Sequence, residues 1–550
     1  MILAILFFSL FAQGKTENPK IEFYPFGEKV GVTKVVASAP KVDLAMARGE
    51  FEIFSFSFPQ VPKDELLSNP KVHWTGAQPK AELNAFWLGV HRLKLSSFKN
   101  GAAGEVADIP VPLEWIEKKS ITVPFENRPS RPNYLFEIST SKQAKPGDYS
   151  GELTFQINQK KYKIPLKLKI HSTVLPDRFE IENSYGFAPW NVLKKHYGKW
   201  DKKNIELYNM YEHAALEHRM DLHKIYVKFP DETATDPLKD GAVQKQTFLG
   251  QTATLYSGAM HSSGFQMAST DLPIPEKYKK VKDGTESSES LQAFWKKMNA
   301  AVLKHGLKER SFVYFVDEPE KKDLPAIGEN LRAIRKWAPD LRFLVTTSYR
   351  SDLEGAVNLW VVPLSLWDIP TEKPESFYQK LSEKKEQFWL YVGCNSHGCS
   401  GPQDPGSPDL SIDRASAYQR AFPWMAVRYK AQGLLYYDTV YGYGKGSESS
   451  PWKDAFLFTG YGEGNLFYPC TPSLGKCSEP RLISSLRMKI LRDGSEDAQI
   501  LKMAMRVDPT LEAELAKLIP SVRNFKRSTE DFEHLKRKAL QALEPPEVKP

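Results

Sequence analysis

The sequence predicts a multidomain β plus α/β protein: an N-terminal β-sandwich, a (β/α)8 TIM-like barrel and a C-terminal helical extension. Three observations carry this. At 550 residues the chain is too long for one ordinary core. Its first third alternates apolar and polar residues with period two, punctuated by turns. The rest alternates short apolar runs with helical patterns, as parallel βα units do.

The elements follow in order. Residues 1–14 begin with an apolar run, Met1 to Ala12, too short to span a bilayer. They read as a secretory signal, although a charged n-region is missing, and a membrane-tethered stem is the competing reading. The mature chain has no expected membrane span, and the expected location is exported, periplasmic or extracellular. Residues 20–177 form the expected sandwich. Phe51–Phe58 alternates as a half-buried strand does, with similar patterns at Ala81–Leu95, Tyr134–Ser139 and Lys161–Ile170. Pro146-Gly147-Asp148-Tyr149 is a turn signal leading into Gly151–Ile157. Leu175-Pro176-Asp177 reads as the exit.

Residues 180–507 form the expected catalytic barrel. Strands are predicted at Lys224–Phe229, Ser311–Val316, Arg342–Thr347, Leu359–Val362, Gln387–Val392 and Gly433–Tyr437. Helices are predicted at Asp201–Met220, Glu286–Leu307, Asp323–Ala338, Pro374–Glu386 and Ile412–Ala431. A doubly wound open sheet is the alternative. No G-x-G-x-x-G or Walker-type loop is present, which weakens its nucleotide-binding versions. Residues 230–290 are a polar insertion of the kind that supplies substrate loops. The stretch from Glu479 to Met505 reads as helical, and 508–550 as a helical extension in which Asp531–Leu543 is amphipathic.

Composition narrows the function classes. Aromatic residues make up 12% of the chain, which fits sugar-stacking walls and core filling alike. The net charge of +8 is spread over many lysines and permits an acidic partner such as an anionic glycan. No basic block is interleaved with aromatics, so nucleic acid is not an expected partner. The composition leaves the oligomeric state open. The four cysteines form two close pairs, Cys394 with Cys399 and Cys470 with Cys477. In an exported chain they read as two local disulfides. The rival, a four-thiolate zinc site, favours tighter spacings than either pair has.

The chemistry centres on Phe312-Val313-Tyr314-Phe315-Val316-Asp317-Glu318-Pro319. Five apolar residues fit a strand buried on both faces, and Pro319 ends the ladder for want of an N–H. Asp317 and Glu318 therefore stand at a strand's C-terminal end, where α/β folds carry their chemistry. Helix initiation is one reading of the two acids. Metal binding is a second, without a nearby His or a D-x-D pattern to support it. Glycoside hydrolysis is the third. Ordinary glycosidases separate their carboxyls by roughly 5–9.5 Å, usually on different elements. Neighbouring acids fit substrate-assisted catalysis better, in which the substrate's 2-acetamido oxygen attacks the anomeric carbon. Asp317 would then orient and stabilise the acetamido group, and Glu318 would act as general acid and then base.

The motif Val316-Asp317-Glu318-Pro319 resembles the signature of glycoside hydrolase family 123 and related uncharacterised bacterial domains. Further stretches agree in order: Ala47-Arg48-Gly49-Glu50-Phe51-Glu52, Pro146–Gly151, Glu217-His218-Arg219, Gly433–Tyr437, and Gly462–Pro469 followed by Ser485-Leu486-Arg487 and Leu491–Asp497. The resemblance spans about residues 25–505 and implies the sandwich-plus-barrel fold. It also implies exo-acting β-N-acetylgalactosaminidase activity by the substrate-assisted route, without a metal or other cofactor. The implied partner is a glycan carrying a 2-acetamido sugar. Two departures bear on which sugar: Gly462-Glu463-Gly464 replaces the family's usual G-D-G, and Gly393–Ser400 is particular to this chain. The competing functions are a β-N-acetylglucosaminidase acting on cell-wall or chitin-like glycan, and a non-catalytic carbohydrate-binding envelope protein. A binding module gains little from two desolvated acids.

Tyr391, Tyr437 and Asp438 are substrate-binding candidates at strand ends, with Trp389 and Trp424 nearby. A tyrosine hydroxyl would align the acetamido carbonyl, and Asp438 would bind a sugar hydroxyl. Barrel packing competes for each aromatic and is the favoured reading for Trp389. His218 and Arg219 are candidates for a hydroxyl clamp or a helix-end salt bridge. His397, in the cysteine-bounded loop, is read as touching substrate or exposed.

Overall fold

The computed structural model describes residues 21–546 apart from 34–39, 100, 102, 198–204, 224–235, 237, 239–247, 281–285, 368–377, 379–380, 382–385 and 445–449. The expected signal, the strand at Lys224–Phe229, most of the helix at Pro374–Glu386 and much of the 230–290 insertion lie outside them.

The sheet-rich first third contains two sheets. One runs, in spatial order, Glu22–Tyr24, Phe51–Ser57, Asn133–Thr140, Ala81–Leu93 and Gly104–Pro112. The other runs Val42–Arg48, Lys160–Val174, Gly147–Ile157 and Leu67–Thr75. Phe54, Phe56 and Phe136 of the first share a core with Phe155, Leu166 and Leu168 of the second. Phe51–Ser57 departs from its half-buried expectation, because Glu52, Ser55 and Ser57 are buried too. The polar face is covered by helices rather than by water. Lys536, on the helix Thr529–Ala542, holds Glu50 at 2.9 Å and Glu52 at 2.6 Å.

Eight parallel strands follow: β1 (Glu182–Gly186), β2 (Leu222–His223), β3 (Thr270–Asp271), β4 (Ser311–Asp317), β5 (Phe343–Thr346), β6 (Leu359–Pro363), β7 (Gln387–Val392) and β8 (Gly433–Tyr436). They hydrogen-bond in the order β2-β1-β8-β7-β6-β5-β4-β3, which is sequential except at the β2/β3 seam. There Asp221 Oδ2 accepts the Ala268 and Ser269 N–H groups, each at 3.0 Å, and Ser269 Oγ donates to the Asn183 carbonyl at 2.8 Å. Side-chain bonds thus stand where the ladder is interrupted among the described residues. The sheet is a near-barrel of the predicted kind.

The interior is filled in layers. At the N-terminal edge Arg342 bonds Glu182 at 2.9 Å and Gln387 at 3.0 Å. Above them Phe312, Leu344, Leu359, Trp389 and Leu435 pack together. Trp389 is fully buried, and a Cβ on Gly433 would lie 2.5 Å from its ring. Trp389 is therefore packing, as favoured.

One irregularity sets the upper layer. The β4–β5 register runs Tyr314↔Leu344 and then Val316↔Val345, a bulge that gains one residue on β4. Regular alternation would put Tyr314 and Asp317 on opposite faces. The bulge puts both inside, with Asp317 opposite Thr346.

The C-terminal part ties the layers together. The stretch expected to be helical from Glu479 opens instead with a strand, Arg481–Ser484, paired with Phe467–Cys470, before the helix Leu486–Ala504. Arg487 of that helix is fully buried. Its Nε donates to Asp108 at 3.0 Å, Nη1 to the Leu410 and Gly462 carbonyls at 3.0 and 2.7 Å, and Nη2 to Asp108 and the Asn465 carbonyl at 3.0 and 2.6 Å. All of its donors are thereby used. Arg487→Met should lower the unfolding free energy by ~3–5 kcal/mol, because Asp108 would stay buried without its counter-ion. Urea unfolding checks this, and a loss below about 1 kcal/mol would contradict it.

Candidate active site

Asp317 ends β4 facing inward, and a regular strand would turn Glu318 outward. Glu318 instead has φ +38°, the left-handed region that non-glycine residues rarely enter. That turn sends the second carboxylate back over the barrel, where the Tyr391 hydroxyl donates to Glu318 Oε1 at 2.5 Å. Thr346 secures the turn: its Oγ1 accepts the Glu318 N–H at 2.7 Å and donates to Asp317 Oδ1 at 2.7 Å. Tyr314 adds a second bond to Asp317 Oδ1 at 2.8 Å. The two neighbouring acids are thus held apart. Asp317 is drawn to β4 and β5, and Glu318 across the mouth to β7.

Neither acid starts a helix. The 3₁₀ turn begins at Lys321 and the α-helix at Leu324, whose N-terminus has no side-chain cap. Both acids are exposed, not desolvated as the sequence suggested. Tyr391 is 6% exposed. Burial, and then the Glu318 charge, push its hydroxyl far above the ordinary phenol range, so it remains a donor. Burial, then Asp317, does the same to Tyr314.

Tyr437 follows β8 on the same rim. Burial, then Glu463, holds its hydroxyl well above the phenol range, and the oxygen finds no hydrogen-bond partner among the described residues. It lies against Gly464, where a Cβ would come within 2.4 Å of it. Gly464 also has φ +64°, so the second glycine of Gly462-Glu463-Gly464 is required twice over. Asp438 Oδ1 accepts the Val440 N–H at 2.7 Å, which shapes the loop after β8.

Residues 268–504, which include both acids, match the family described as glycoside hydrolase 123, catalytic domain. The chain is a glycosidase whose residues 268–504 resemble a family 123 catalytic domain. Among solved structures, a family 123 glycoside hydrolase from Clostridium perfringens is 12% identical, with a TM-score of 0.58 over 91% of this chain and 92% of that one. That likeness establishes a common fold. A β-glucuronidase from Ruminococcus gnavus is 9% identical over 77% of this chain and 65% of its own, with a TM-score of 0.23. A cell-surface chitinase from a Paenibacillus strain is 8% identical over 70% and 44%, with a TM-score of 0.21. No curated protein matches the chain.

The structure separates the other sequence candidates from this mouth. Trp424 lies on the helix Ser416–Tyr429, fully buried edge-on to Phe532 at 5.1 Å, in the packing outside the barrel. His218 and Arg219 precede β2 and so belong to the opposite, N-terminal end. Arg219 Nε bonds Glu496 at 3.0 Å, and its guanidinium lies 3.5 Å from the Phe265 ring centroid, which is the salt-bridge alternative. His218 Nδ1 faces the Ala214 carbonyl at 2.7 Å.

The disulfides pair locally, Cys394–Cys399 and Cys470–Cys477. His397, inside the first, neither touches the mouth nor is exposed. It is fully buried, with Nδ1 3.0 Å from Asp409 and Nε2 3.2 Å from the Phe458 carbonyl. Burial alone would pull it down, but Asp409 and then Glu463 push it up to about 9, so the ring is cationic at neutral pH.

Sequence reasoning missed Tyr314 and Thr346. The hydroxyl ending Phe-Leu-Val-Thr at a strand's C-terminal edge was the available signal for Thr346. The parity of Tyr314 pointed away from Asp317 because a bulge has no fixed sequence mark. Thr346→Val keeps the volume and removes both bonds. It should lower kcat/KM of the glycosidase by about 10- to 100-fold with an unchanged circular-dichroism spectrum. Unchanged activity would contradict the role given to this hydroxyl.

Proposed function

We propose that this glycosidase releases terminal β-linked N-acetylhexosamine, most simply N-acetylgalactosamine, by substrate-assisted retaining catalysis. The observation that carries the reading is the divergence of two adjacent carboxylates. Asp317 is held through Oδ1 by Tyr314 and Thr346, which leaves Oδ2 for the acetamido N–H. There it would position the amide and balance the positive charge of the oxazolinium intermediate. Glu318, braced at Oε1 by Tyr391, would carry its proton on Oε2, give it to the glycosidic oxygen, and then deprotonate the incoming water. Tyr437, whose hydroxyl is buried against Gly464 without a partner among the described residues, would have to turn toward the mouth to donate to the acetamido carbonyl and aim it at the anomeric carbon. Asp438 would face a sugar hydroxyl.

The galacto configuration follows the family resemblance. Glycolipid glycan hydrolysis, described for the Clostridium perfringens enzyme, offers a substrate class of the same kind. The departures at Glu463 and in the Gly393–Ser400 loop keep β-N-acetylglucosaminidase activity on cell-wall or chitin-like glycan as the second reading. We assign residues 20–177 to a β-sandwich, supported by the two sheets that share a core, 180–507 to the catalytic domain, and 508–550 to the helical extension. Among the described residues no helix is long and apolar enough to cross a membrane. Two disulfides support an exported enzyme. Its signal would be residues 1–14.

A panel of β-glycosides differing at C2 and C4 tests this. The N-acetylgalactosaminide should be the best substrate. Glu318→Gln should lower kcat/KM by about 10²- to 10⁴-fold on a sugar leaving group, and by less on an activated aryl one. Equal turnover of sugars bearing a 2-hydroxyl would sink the substrate-assisted reading. Glycan binding without any turnover would favour the carbohydrate-binding alternative.

A further inference from the structure

The two residues joining the strands Phe456–Leu457 and Gly460–Tyr461 both have positive φ: Phe458 at +46° and Thr459 at +64°. A two-residue hairpin of this kind normally takes Asn or Gly at these positions. Side chains larger than glycine are strained there, so something else must hold the turn. Two bonds do. Thr459 Oγ1 donates to the Gly398 carbonyl, and the buried, cationic His397 reaches the Phe458 carbonyl. Both partners belong to the loop closed by Cys394–Cys399, which directly follows β7. A Cβ on Gly460 would collide with the His397 ring at 2.4 Å, so hairpin and loop are fitted closely.

This anchoring presents an apolar ring to water. Phe458 is 40% exposed and Tyr441 41%. Their centroids are 5.4 Å apart, and Tyr437 lies 6.0 Å from Tyr441 and 6.1 Å from Phe458. Tyr441 is held by its N–H on the Gly464 carbonyl at 2.9 Å. An exposed aromatic pair on a strained, doubly anchored hairpin, continuous with the Tyr437 ring at the end of β8, has the character of a binding surface.

Its place relative to the acids indicates the occupant. A general acid must stand beside the oxygen it protonates, so the leaving group lies on the side to which that acid is turned. Glu318 is turned to Tyr391 on β7, and Asp317 away from it to Tyr314 and Thr346. Gly393, just after β7, is the residue whose Cβ would face the Tyr437 ring, at 3.8 Å. The leaving group therefore departs toward the β7–β8 rim, where Phe458 and Tyr441 stand. We infer that Phe458 and Tyr441 form a leaving-group subsite that stacks on the C–H face of the next saccharide ring of the glycan. This deepens the 2-acetamido reading of the same mouth and rests on it.

The test compares two substrates with the same N-acetylhexosamine. One has a saccharide leaving group, and the other is the glycosyl azide, whose leaving group is too small to reach the platform. Phe458→Ala should lower the ratio of kcat/KM for the saccharide to kcat/KM for the azide by about tenfold, equivalent to ~1.4 kcal/mol. Tyr441→Ala should act in the same direction, and Phe458→Tyr should keep the wild-type ratio. An equal fall on both substrates would mean that the hairpin only supports the active site, and would overturn the subsite. An unchanged ratio in both alanine variants would overturn it as well. In either case the wild-type enzyme's turnover of the azide would leave the 2-acetamido reading standing. Wild-type enzyme inactive on both substrates would remove that reading and the subsite together.

Discussion

The register slip between Tyr314 and Val316 is the constraint on which the candidate active site depends. A sheet alternates its side chains, so two carboxylates in sequence cannot both face the barrel mouth from a regular strand. The chain solves this with two consecutive departures. The bulge brings Asp317 inward beside Thr346, and the left-handed Glu318 folds the next side chain back over the same opening. One hydroxyl, that of Thr346, serves both departures, because it binds the Glu318 N–H and the Asp317 carboxylate together. Strain of this sort is found where a structure spends stability on geometry.

The rest of the molecule supplies the rigidity that such a site requires. Arg487 joins the first sheet, through Asp108, to the carbonyls of Leu410, Gly462 and Asn465. It thereby fixes the backbone of the loop whose Gly464 lies against the Tyr437 hydroxyl. The Cys394–Cys399 loop, with His397 on Asp409 and on the Phe458 carbonyl, holds the hairpin on the same rim. Buried ion pairs add little net stability compared with apolar packing, but a fully hydrogen-bonded one fixes orientation. In this glycosidase they lie behind the rim that carries Asp317 and Glu318 rather than in it.

Much of this was legible in the sequence, and the exceptions have physical causes. The strands at Ser311, Leu359, Gln387 and Gly433 start where their apolar runs start, because a strand covered on both faces leaves an unbroken hydrophobic record. Asp317 and Glu318 stood out because Pro319 stops that run. The bulge did not, because register belongs to two strands and β5 is distant in sequence. Trp424, His218 and His397 were misplaced for a common reason. Aromatic and titratable side chains mark sites only when they face one, and each of these three is buried in packing or in a polar network. Phe51–Ser57 misled in the opposite direction. Its polar alternation records a face closed by Lys536 and its neighbours, and not a face open to solvent.

The central claim is that the nucleophile comes from the substrate, and replacing the acetamido hydrogens by fluorine tests it most directly. Each fluorine in an N-fluoroacetyl, N-difluoroacetyl or N-trifluoroacetyl glycoside withdraws electron density from the carbonyl oxygen while barely changing its size. If that oxygen attacks the anomeric carbon between Asp317 and Glu318, log kcat/KM should fall steeply and linearly along the series. A flat series would mean that the protein or water provides the nucleophile, and would contradict the account.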